Sequence, residues 1–142
     1  MNIRWILAFG LTISMWPTGV RADVIALSAS IAGPNEVPPV ASQGTGTATV
    51  SIDTASRALQ WNVQVRDLSG PISAAHFHCP ATVSQNAAVS IPIAGAGAES
   101  PLRGSITISP EQMDNILNGR CYINVHTALH PPGEIRGQVT RP

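Results

Sequence analysis

Polar and apolar residues alternate one for one along much of the chain, and turn-forming stretches interrupt the alternation at short intervals. Over 44–52, Thr45, Thr47, Thr49 and Ser51 alternate with Ala48, Val50 and Ile52. This is the period of two expected of a strand with one face buried. Residues 57–65 repeat it, placing Leu59 or Trp61 with Val63 and Val65 on the apolar side. Segments 24–32, 72–79, 89–93, 102–108, 120–126 and 134–140 complete a set of eight expected strands. Turn residues at 53–56 and 67–71 and the GAGAES stretch at 95–100 separate several of them. Short strands at this spacing predict an all-β fold, a Greek-key sandwich or barrel of about eight strands.

One segment changes period. Ser109 suits a helix N-cap, Pro110 the first helical position, and Gln112 completes a capping box. Met113, Ile116 and Leu117 then share one face, and Gly119 is placed to end the helix. A single short helix, packed over a sheet edge or barrel end, is expected.

The N-terminus has a different character. Arg4 precedes an uncharged apolar run at 5–16, which Pro17 and Gly19 break. Val20 and Ala22 then stand at the −3 and −1 positions of an export signal cleaved before Asp23. The run is too short to span a bilayer, which takes about 20 residues. The expected division is a signal peptide at 1–22 and one domain at 23–142, secreted or periplasmic, with no membrane attachment after cleavage. Over 23–142 there are six arginines, no lysine and eight carboxylates, a formal charge of −2. Nothing there offers the basic footprint of a nucleic-acid partner. The two cysteines, Cys79 and Cys121, suit a disulfide in an exported chain. The competing reading makes Cys79 a thiolate metal ligand next to His78.

All four histidines fall in two clusters, His76-x-His78 and His126-x3-His130. On a strand, residues two apart point the same way, about 6.6 Å apart along the backbone. Alternation puts Ala75, Phe77 and Cys79 on one side of their strand, with His76 and His78 on the other. It likewise separates Cys121, Ile123 and Val125 from Tyr122, Asn124 and His126. The histidines therefore belong opposite the core, and the cysteines with it. An all-imidazole cluster suits copper first and zinc second, and the absence of a carboxylate argues against calcium or magnesium.

Other chemistry is sparse. No strand-turn-helix nucleophile elbow occurs, and the glycines at 44 and 46 precede a strand, not a phosphate-binding helix. Glu36 and Glu134 are isolated carboxylates, read as solvated or arginine-bound rather than as an acid/base pair. Glu134, Arg136 and Gln138 alternate as a surface ladder.

In order along the chain, NEVPPV at 35–40, GTGTA at 44–48, LSGP at 68–71, AHFH at 75–78, YINVHT at 122–127 and GEIRGQV at 133–139 resemble the CHRD domain. That family is named after chordin, an extracellular animal protein, and also occurs in exported bacterial proteins. The resemblance implies a secreted β domain and no particular activity. The family usually has Gly-Pro after H-x-H, and often a bulky apolar residue before the tyrosine. Here Cys79 and Cys121 stand at those places, as a mutually introduced bridge would require. More coarsely, His76, His78 and His126 are similar to the copper ligands of the Cu/Zn superoxide dismutase sandwich. No histidine and aspartate cluster for zinc lies between the motifs, which argues against dismutase activity. The expectation is an exported copper-binding module using His76, His78, His126 and, as a fourth group, His130. The competing expectation is a metal-free domain that binds an unknown protein partner.

Overall fold

The computed structural model describes residues 23–142, so the expected signal peptide lies outside the described residues. Alternation turns one side of each strand inward, and the strands wrap around those sides. They are β1 (Val24–Ala32), β2 (Thr45–Asp53), β3 (Ala58–Arg66), β4 (Ile72–His78), β5 (Val89–Ala94), β6 (Leu102–Thr107), β7 (Tyr122–Thr127) and β8 (Ile135–Gln138). A 3-10 turn at Gly33–Asn35, not expected from the sequence, follows β1. The strands form one antiparallel sheet in the order β5-β4-β7-β8-β1-β2-β3-β6. Its two outer strands, β5 and β6, approach each other, so the sheet is a nearly closed barrel.

Inside the barrel lie Leu27, Ile31, Val50, Ile52, Leu59, Val63, Phe77, Ile123, Val125 and Ile135. Trp61 meets Phe77 edge-on, with ring centroids 5.8 Å apart. β8 is shorter than the expected 134–140. Beyond Gln138, the Val139 N–H donates to the Cys121 carbonyl and Thr140 bridges to Ser28. The helix α1 (Pro110–Leu117) forms with the expected capping box between Ser109 and Gln112. Gly119, at φ +67°, provides the left-handed residue that ends it. Ile116 enters the core, and the Gln112 side-chain amide donates to the Ser90 carbonyl of β5 at 3.1 Å.

The outer face of the sheet divides in two. Over β1, β2 and β3 it carries Ser30, Thr47, Thr49, Gln60 and Gln64, all exposed. Over β4, β7 and β8 the connections around 34–40, 80–88 and 128–133 cover it. His78, Tyr122, Asn124 and Arg136 are consequently buried there although they point away from the core.

Cys79 and Cys121 form a disulfide, with Cα atoms 4.6 Å apart, which excludes Cys79 as a thiolate ligand in this state. Cys121 is fully buried with the apolar side chains, as strand alternation predicts. The bridge spans a sequence separation of 42. Closing a loop of that size restricts the unfolded chain by about 4 kcal/mol. Unfolded, unreduced protein should therefore show no free thiol, and reduction should lower the melting temperature. Two titratable thiols in that sample would overturn the assignment.

Candidate metal centre

Antiparallel pairing of β4 with β7 sets His76 opposite Asn124, His78 opposite Tyr122 and Ala74 opposite His126. The three outward histidines thus occupy neighbouring positions on adjacent strands, and the small side chain of Ala74 leaves room beside His126. His76 Nδ1 lies 3.2 Å from His126 Nε2. One ring nitrogen from each of His76, His78 and His126 falls within 4.8 Å of the others. This is the only such group of three or more metal-ligating side chains among the described residues.

Backbone carbonyls orient two of the rings. His78 Nδ1 lies 2.9 Å from the Ala87 carbonyl, and His126 Nδ1 lies 2.8 Å from that of Pro131. A carbonyl only accepts, so each Nδ1 carries the proton and each Nε2 presents its lone pair to the cluster. Carbonyl-oriented imidazoles of this kind are the usual support of metal-bound histidine. The Nε2 of His78 is buried and has no hydrogen-bond partner among the described residues. Burial, and then the neighbouring His126, pushes His76 titration below the ordinary histidine value. Burial does the same for His78 against the opposing Ala87 bond. Both shifts favour the neutral ring, the form that ligates a metal.

The ring of Tyr122 stacks on His78, with centroids 4.8 Å apart and planes 1° from parallel. The Arg136 guanidinium lies 3.5 Å from the centre of the Tyr122 ring. With β7 between β4 and β8, the three side chains form a row across the sheet. Arg136 also donates to Asn86 Oδ1 at 3.0 Å and to the carbonyls of Thr82 at 3.0 Å and Gln85 at 2.8 Å. It thereby holds the loop whose Ala87 carbonyl orients His78. The expected surface ladder is thus corrected, because Arg136 is 1 % exposed and Glu134 0 %. The 80–88 loop roofs the outer face of β8, turning an apparent solvent position into a buried one.

Neither isolated carboxylate is solvated or salt-bridged to an arginine, the two alternatives the sequence suggested. Glu134 accepts from Ser42 Oγ, Ser69 Oγ and Thr127 Oγ1, each at 2.6 Å, and from the Ser69 N–H at 2.8 Å. Glu36, 7 % exposed, accepts from Asn124 Nδ2 at 2.6 Å. Burial, partly offset by the Arg136 charge, pushes its carboxyl up to about 7. Gly133, at φ +139°, packs where a Cβ would overlap the Asn124 amide and crowd Glu36. His130 is outside the group of three. It lines a neighbouring cavity of about 400 Å³ together with His78 and Glu36. The carbonyls of Ala87 and Pro131 escaped sequence reasoning because backbone acceptors carry no residue signature. Tyr122 left a signal: it shares the parity of Asn124 and His126.

A nearly closed antiparallel barrel with this cluster on its outer face matches the family model of the CHRD domain over residues 27–139, and the chain belongs to that family. No curated protein and no solved structure matches it.

The Glu134 network yields a pH dependence. Burial opposes the charge of Glu134, but its hydrogen bonds prevail and lower the pKa from 4.5 to about 2. A depressed carboxylate stabilises the fold above its unfolded pKa. That contribution should be lost as pH falls from about 4.5 toward 2. Glu134→Gln should cost about 3 kcal/mol at neutral pH and flatten the stability curve across that acid window. Parallel denaturation profiles for the two proteins below pH 4.5 would show that the network does not hold the charge.

Proposed function

We propose that this chain is an exported module that binds one copper ion through His76 Nδ1, His78 Nε2 and His126 Nε2. The observation that supports it most is the buried, unpartnered Nε2 of His78 beside the paired nitrogens of His76 and His126. A buried lone pair without a donor is disfavoured unless something fills the site. Three neutral imidazoles without a carboxylate suit Cu(II) ahead of Zn(II). Copper bound there would supply a redox-active Lewis acid. The residues themselves hold the rings in place, through the Ala87 and Pro131 carbonyls and the stack beneath His78. Three protein ligands leave room for a further group, and His130 is the nearby imidazole to fill it. Storage, delivery or detoxification of copper fits such a module, as does redox chemistry at the open position.

Export is supported by the apolar run at 5–16 and by the disulfide, which suits an oxidising compartment. No described helix is long and apolar enough to cross a membrane.

Protein purified without a histidine tag should bind one Cu(II) per chain, with nitrogen-dominated ligation by electron paramagnetic resonance. His76→Ala and His126→Ala should each weaken binding beyond the roughly 10–100-fold associated with loss of a supporting contact. Unchanged copper affinity in both variants would sink the assignment. Secreted protein should begin at Asp23 by intact mass, and a product beginning at Met1 would refute cleavage.

A further inference from the structure

The cavity beside the histidine cluster is lined in part by His78 and His130, and otherwise by groups the copper reading does not use. It is about 400 Å³ and lies between the proline-flanked segment after β1 and the loop joining β7 to β8. Apolar surface from Pro38, Val40, Leu129 and Pro132 lines it, and its wall also holds Glu36, the only carboxylate there. No arginine lines it.

The Glu36 carboxylate is incompletely satisfied. Its Oε1 accepts from Asn124, and its Oε2, which no hydrogen bond among the described residues reaches, stays open to solvent and so to a ligand. Arg136 is the cation that influences it, but forms no salt bridge with it. Both terminal nitrogens of Arg136 are committed to Thr82, Gln85 and Asn86. The Asn124 Oδ1 beside Glu36 is likewise buried without a partner. A buried carboxylate is stable when a donor or a cation meets it. The walls therefore call for a ligand with N–H donors at one end and an apolar body at the other. An anion finds no arginine or lysine to meet it in this lining. A divalent metal finds one carboxylate and no cluster of three ligands outside the histidines.

We infer that this cavity binds a small organic ammonium ion, its N–H groups on the Glu36 carboxylate and its apolar part against Pro38, Val40, Leu129 and Pro132. Leu129, 71 % exposed, stands at the rim where such a ligand enters. The site needs no metal, and Glu36 and the apolar residues it relies on are not among the proposed copper ligands, so its failure and that of the copper reading are distinguishable although His78 and His130 line the same cavity.

The test is an NMR titration of chelator-treated, metal-free protein with n-butylammonium, run about two pH units above the value near 7 at which the Glu36 carboxyl ionises. Saturable shifts are expected in the amides of 36–40 and 129–133. Glu36→Gln, which keeps the side-chain shape, should weaken binding about tenfold or more, the scale of one charge-assisted hydrogen bond. Tetramethylammonium, which lacks N–H, and butyrate, which carries the opposite charge, should bind far more weakly. Leu129→Ser changes an exposed position and leaves the core intact. It should weaken butylammonium several-fold and leave methylammonium unaffected. The inference is overturned if the folded wild-type protein gives no saturable response. It is equally overturned if tetramethylammonium binds as well as butylammonium, or if Leu129→Ser does not alter butylammonium binding.

Discussion

The guanidinium of Arg136 ties the outer layer of this molecule to the barrel. It faces away from the core, yet it is buried because the 80–88 loop lies over it. The loop can lie there because Arg136 meets the carbonyls of Thr82 and Gln85 and the side chain of Asn86. Buried backbone acceptors require donors, and a long, always-charged fork supplies several from one position. Through the loop, Arg136 fixes the Ala87 carbonyl and hence the tautomer of His78. Through Tyr122 it supports the face of the same ring. One side chain on β8 thus governs an imidazole two strands away.

The two sides of β4, β7 and β8 follow different physics. Inward, Phe77, Ile123, Val125 and Ile135 exclude water and require only shape and volume. Outward, burial falls on groups that must be paired, and the fold pairs most of them with loop backbone. Glu134, just before β8, is paired differently, by three side-chain hydroxyls and one backbone N–H. Among the described residues, pairing is incomplete at His78 Nε2 and Asn124 Oδ1, which both border the cavity beside the histidines, and also at Gln138 Oε1 and Trp61 Nε1 elsewhere.

The barrel was legible because period two is a local property. Residues 44–52 and 57–65 announce their faces without reference to anything distant. The capping box at Ser109 and Gln112 is equally local. The histidine triad was legible at one remove, since His76, His78 and His126 share the parity opposite the apolar residues of their strands. The covering loops were not legible. Residues 80–88 and 128–133 have no period, and the position of 80–88 depends on bonds to Arg136, about fifty residues away. Arg136 and Glu134 therefore looked like members of a solvent ladder, which is what the same alternation means on an uncovered sheet. The cysteine pair was readable because parity placed both residues on the core side of their strands.

The disulfide has a topological effect beyond stability. It joins the residue after His78 to the residue before Tyr122, so β4 and β7 are cross-linked at the same end. Everything from Pro80 to Arg120, including β5, β6, α1 and the exposed residues at 83–86, forms a covalently closed excursion between them. Exposed loops are where extracellular proteases cut. A single cut anywhere in that excursion leaves the two histidine-bearing strands in one covalent molecule, still paired along their ladder. The histidine cluster is therefore insured against nicking across the stretch that separates its members in sequence.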